Sequence, residues 1–95
     1  MRGFKEFLTE NIYQITQSMK FKWQDYEPQV IKKWLRQVAA LLDIGHNNWQ
    51  MRLDPHYIEF TQTVEDILPQ LKDSSYQKEV EEVGLLLPSG SSAAV

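Results

Sequence analysis

Ninety-five residues, 42% of them apolar and 24% charged, are enough for one small hydrophobic core and too few for two, and the mixture excludes a wholly disordered chain. The absence of cysteine excludes disulfides, thiolate nucleophiles and cysteine-held zinc or iron–sulfur centres together. The formal net charge of −3 conceals a split: residues 1–52 carry eight Lys/Arg against five Asp/Glu, a net of +3, and residues 53–95 carry two against eight, a net of −6.

Such halves can attract each other within one molecule or between two copies, although ordinary solvated helix faces give the same tally. No apolar run approaches the ~20 residues of a membrane helix. Lys5, Glu6 and Glu10 interrupt what would be the apolar block of a secretion signal, so a cytoplasmic location is expected.

The first segment places Phe4, Phe7, Leu8, Ile12, Ile15 and Met19 at steps of three and four. That spacing predicts an amphipathic helix with Lys5, Glu6, Thr9, Glu10, Gln14 and Gln17 on its polar side. From Lys20 the period changes to two, with Phe21 and Trp23 alternating with Lys20, Lys22 and Gln24, and a short extended segment is expected. A second helix is expected to start near Asp25, whose carboxylate can cap it, with Pro28 tolerated in the first turn. It carries Ile31, Trp34, Leu35, Val38, Leu41 and Leu42 on one face and is expected to stop at a left-handed Gly45.

Beyond His46, Asn47 and Asn48, the residues Trp49, Met51 and Leu53 alternate with Gln50 and Arg52 as a second extended piece. The two pieces flanking the second helix either pair as a minimal two-stranded ribbon resting on the helices or lie over the core as loops. Asp54-Pro55 opens a third helix, a cap followed by proline, with Tyr57, Phe60, Val64, Ile67, Leu68 and Leu71 on one face and a break near Leu68 imposed by Pro69. Ser74 with Gln77 offers a capping box for a fourth helix faced by Tyr76, Val80, Val83 and Leu87, weakened by Gly84 and ended by Pro88. The remaining Ser, Gly, Ala and Val have too little apolar bulk to fold alone, so 88–95 is expected to be a flexible or docked tail. The fold class is therefore mainly α: a compact three- or four-helix domain over 1–87, around Phe7, Ile12, Ile15, Ile31, Leu35, Val38, Leu42, Phe60, Val64 and Ile67.

Little in the sequence points to chemistry. His46 and His56, with Asp43 and Asp54 nearby, are the one combination that could hold a divalent ion, but their spacing matches no closed helical pair and each has a local task. No metal and no other cofactor is expected. Glu79, Glu81 and Glu82 read as a solvated face rather than as paired catalytic carboxylates. Gly3, Gly45, Gly84 and Gly90 are isolated, so no phosphate-cradling loop is present, and the chain is not expected to be an enzyme.

Binding is the alternative. Lys20, Lys22, Lys32, Lys33, Arg36 and Arg52 interleave with Phe21, Trp23, Trp34 and Trp49, a mixture that suits phosphates and unstacked bases. The acidic balance of the chain and the place of Trp34 on a core face weigh against nucleic acid. Trp23 and Trp49 lie outside the apolar helical faces and serve either as anchors for a protein partner or as lids on the open end of the core. The first expectation is a small non-enzymatic protein-interaction protein, an adapter, inhibitor or assembly component, with a weak homodimer as one form. A nucleic-acid-binding protein using the basic first half is the second.

The opening Gly3-Phe4-Lys5-Glu6-Phe7-Leu8-Thr9-Glu10 resembles the starts of many small proteins encoded by large contractile-tailed phages. The resemblance covers eight residues and implies a viral source and a class of small accessory proteins that bind a host or virion component. It carries over no functional residue.

Overall fold

Five α-helices account for most of the described residues: α1 (Phe4–Lys22), α2 (Pro28–His46), α3 (Trp49–Arg52), α4 (Pro55–Ile67) and α5 (Gln77–Leu86). Tight 3-10 turns lie at Trp23–Asp25, Leu68–Gln70 and Ser74–Tyr76. The computed structural model describes residues 4–87, with side chains from residue 10 onward. The expectations for the side chains of Phe4 to Thr9, for Pro88 as a helix stop and for the 88–95 tail lie outside the described residues.

The mainly α expectation holds, with five helices in place of three or four. No strand occurs among the described residues, so the ribbon does not form. At residues 20–24 the alternation of Phe21 and Trp23 misleads, because α1 simply continues to Lys22. Its buried face runs Ile12, Thr16, Met19 and on to half-buried Trp23, at steps of four, three and four. Thr16 takes the place expected for Ile15, which is only partly buried; its hydroxyl donates to the Ile12 carbonyl at 2.7 Å, so the polar atom enters the core already satisfied. At residues 49–53 the Asn48 side chain accepts from the Met51 N–H at 3.1 Å and caps a single helical turn.

Two other boundaries move for identifiable reasons. Glu27, restrained by the proline after it, sits at φ −67°, ψ 155°, so α2 begins at Pro28 and Asp25 belongs to the preceding 3-10 turn. Gly45 is not a left-handed stop, since no glycine among the described residues has a positive φ and the helix runs through it to His46. Its lack of a side chain serves packing instead: the Tyr57 phenol lies where a Cβ would be.

Asp54 caps α4 as expected, accepting from the His56 N–H at 2.8 Å, and the helix gives way to a 3-10 turn at Leu68. No Ser74–Gln77 box forms: Asp73 caps the Ser74–Tyr76 turn that leads into α5, and α5 itself has no side-chain cap. The Asp73 carboxylate accepts from the Ser75 N–H at 2.8 Å and the Ser75 hydroxyl at 2.7 Å, and these two bonds hold its pKa below the usual value. Gln77 donates to the carbonyl of Leu71 at 2.8 Å.

In space, α1 packs chiefly on α4 and α2 on α5, with α3 bridging α2 and α4. The two pairs close on a shared core in which Leu35, Val38, Phe60, Val64 and Val83 have no exposed surface. Ile12, Ile31, Leu42 and Ile67 are also buried as expected. The result is flattened, 41 × 30 × 17 Å along its principal axes, which leaves long helix faces in contact with water. No helix among the described residues is long and apolar enough to cross a membrane.

Candidate interaction surface

A one-turn helix has too few internal hydrogen bonds to stand alone, so α3 depends on its surroundings. Three contacts hold it. Met51 is buried in the core, Asn48 caps the N-terminus, and Arg52 reaches back to α2, where one guanidinium nitrogen, Nη1, donates to the carbonyls of Gly45, at 2.8 Å, and of His46. Those are carbonyls at the end of a helix, which have no partner within it, and a cation is the favoured one.

With Met51 facing in, Trp49 and Leu53 face out, four residues apart on the same side of the turn. They are 62% and 65% exposed, a large aromatic and a large aliphatic side chain left in water on an anchored support. Uncharged, exposed Asn47, Asn48 and Gln50 flank Trp49 in sequence. Trp23, the other expected anchor, is half-buried and packs against the core at the end of α1. The two candidate tryptophans thus separate into a lid and an exposed side chain. Phe21 lies in the last turn of α1 and is exposed.

A second feature lies between α1 and α2. Because each helix packs closely on a different partner, a cleft opens between them, formed by adjoining pockets of about 360 and 420 Å3 that share Gln14, Ile15 and Gln37. Tyr26, Val30 and Trp34 line one end and Leu41 the other. The indole N–H of Trp34 is buried with no acceptor.

The six basic residues do not gather into one free cluster. Lys20 pairs with Glu59 on α4, Arg36 lies 3.9 Å from the carboxylate of Glu79 on α5, and Arg52 is occupied by the end of α2. Lys33 lines the α1–α2 cleft, Lys32 is half-buried and Lys22 is exposed at the end of α1. Glu79 corrects the expectation of a solvated acidic face, since only 8% of the residue is exposed and its Oε1 has no partner, whereas Glu81 and Glu82 are exposed.

Each histidine has its own local contact. His56 meets the ring of Tyr13 edge to face at 5.5 Å between centroids, and the His46 carbonyl takes Arg52. No group of three or more His, Cys, Asp or Glu side chains that could hold a metal occurs among the described residues. No protein-family model matches the chain, and no curated protein or solved structure is significantly similar to it.

Proposed function

We propose that this chain is a small non-enzymatic binding domain that recognises another protein through the outward side of α3, as an adapter, inhibitor or assembly component. The observation that carries the reading is the exposed pair Trp49 and Leu53 on a turn fixed by a cap, a buried methionine and an arginine latch. Fixing the support in advance lowers the ordering cost of association. Burying what is still exposed of both side chains on a partner withdraws enough apolar surface for about 2–4 kcal/mol before association costs, the scale of an interface hot spot. The amides of Asn47, Asn48 and Gln50 supply a polar rim. Nucleic-acid recognition has no comparable support, because Lys20 and Arg36 are set against carboxylates within the chain and the basic residues form no single cluster.

A photo-reactive crosslinker placed at Gln50, beside the pair, is expected to capture a discrete partner in cells that make the protein. That partner, purified, should bind the wild-type chain and lose about tenfold or more in affinity for Trp49→Ala at an unchanged unfolding midpoint. Equal affinity of every captured partner for the wild type and for the Trp49→Ala/Leu53→Ala double variant overturns the reading.

A further inference from the structure

A separate pocket of about 360 Å3 lies where the ends of α2 and α5 meet α3 and the start of α4. Leu42, Leu86 and Leu87 supply an apolar wall, Leu85, itself 81% exposed, stands at the rim, and Arg52, Tyr57 and His46 complete the lining. At about 30 Å3 per water-sized group, such a space holds on the order of a dozen non-hydrogen atoms.

Two polar groups in this lining are incompletely used. Tyr57 is 3% exposed, yet its hydroxyl has no hydrogen-bond partner among the described residues. The ring is buried while the hydroxyl belongs to the pocket lining, so the O–H is available to a group that enters the pocket. Arg52 directs Nη1 at the carbonyls of Gly45 and His46, and the other edge of its guanidinium, Nε and Nη2, has no acceptor among the described residues. That edge is the fork that grips a carboxylate with two parallel bonds. The guanidinium is close enough to Tyr57 to act on its phenol electrostatically.

We infer that this pocket binds a small amphiphilic anion, a carboxylate carried on a short apolar chain. The Arg52 fork and the Tyr57 hydroxyl take the carboxylate, and the leucine wall takes the chain. One guanidinium suits a monoanion better than a phosphate dianion, since a second full charge would find no second arginine or lysine in the lining. The leucines add what acetate or formate has no use for. A free fatty acid and the C-terminal carboxylate of a polypeptide ending in an apolar residue present the same chemistry.

Titration of the isotope-labelled full chain with sodium hexanoate, followed by nuclear magnetic resonance, tests the assignment. Saturable shifts centred on Leu42, Tyr57 and Leu86 are expected, with a dissociation constant on the order of 1 mM or below, as suits a ligand of few atoms. Hexanol, which has the chain without the charge, and acetate, which has the charge without the chain, should each bind at least about tenfold more weakly. N-acetyl-leucine compared with N-acetyl-leucinamide separates the two sources: N-acetyl-leucine binding more tightly than hexanoate indicates a chain terminus, and the reverse order a free acid. Tyr57→Phe should weaken hexanoate on the order of tenfold. Leu85→Asp, which sets a carboxylate at the rim without disturbing a buried position, should weaken it about fivefold. Arg52→Gln also loosens the end of α2, so the rim and tyrosine variants decide. Hexanol binding as tightly as hexanoate, indifference to both Tyr57→Phe and Leu85→Asp, or no saturable shift at ~10 mM overturns the assignment.

Discussion

At the residue scale the tightest constraint is the meeting of Gly45 and Tyr57. A methyl group at position 45 would overlap the phenol oxygen, Cζ and Cε1 of a ring that is itself confined in the core. Alanine favours a helix interior over glycine by about 1 kcal/mol, so on helix propensity alone Gly45→Ala should stabilise α2. Overpacking a confined ring costs about 1–3 kcal/mol and outweighs that gain. Gly45→Ala is expected to lower stability in denaturant unfolding, and adding Tyr57→Phe should restore only part of the loss, because two ring carbons remain in the way. A stabilised Gly45→Ala variant would show that the ring moves freely. The same tyrosine carries a pH signature. Desolvation by burial raises its pKa above 10.0, and Arg52 offsets only part of the effect. A folded-state pKa raised in this way contributes stability that is complete below the unfolded value and is lost as pH rises through the folded one. Tyrosinate absorbance should therefore show a component titrating above 10 that disappears in Tyr57→Phe, and that variant should lose less stability in alkali than the wild type.

At the scale of elements, the long periodic segments were legible in the sequence and the short ones were not. The apolar faces of α2 and α4 span enough turns to distinguish a period of 3.6 from one of 2, and Asp54-Pro55 announces its own cap. Five residues such as Trp49 to Leu53 satisfy both periods, and the deciding contacts, Asn48 to the Met51 N–H and Arg52 to the end of α2, include one that depends on tertiary placement. The face of α5 was displaced in the same way. Val80 was expected inward, but the buried line runs Tyr76, Glu79, Val83 and Leu87, and Val80 is only partly covered. A glutamate at such a position reads as solvated until α2 is laid against it. Of the candidate site, the sequence sets Trp23 and Trp49 alike outside the apolar helical faces and does not separate the half-buried lid from the exposed side chain; the pocket at Arg52 and Tyr57 is not legible either, because it is completed by the far end of α5.

Glu79 yields a prediction about the α2–α5 contact. Its Oε1 is buried without a partner among the described residues, and the ion-pair neighbour found there, Arg36, is largely exposed at 3.9 Å, a geometry that returns little. Burying a charge with incomplete compensation costs more than a well-packed apolar group of similar size. Glu79→Met is expected to raise stability by about 1 kcal/mol in chemical denaturation, and Arg36→Ala to change it by less than about 0.5 kcal/mol. A Glu79→Met variant destabilised by more than the arginine variant would mean that the carboxylate is held by contacts stronger than this ion pair.

At the scale of the whole molecule, the fold determines what becomes of the +3 and −6 halves. Separated on opposite sides, they would favour head-to-tail association driven by charge. The packing does the reverse: α1 lies on α4 and α2 on α5, so each long helix of the basic half is laid against one from the acidic half. Lys20 with Glu59 and Arg36 with Glu79 are pairs across that division within a single chain. The attraction between the halves is thereby directed within one chain, most closely at Lys20 and Glu59. Large apolar side chains also remain exposed, Leu85, Phe21, Leu53 and Trp49 above all. A weak homodimer built on them is expected to respond little to salt, although the Debye length falls from about 10 Å at 0.1 M to about 3 Å at 1 M, and to dissociate on Trp49→Ala. Sedimentation equilibrium at those two ionic strengths distinguishes the mechanisms. A dissociation constant that rises about tenfold with salt and is indifferent to Trp49→Ala would place the contact on charged faces and return the charge split to an intermolecular role.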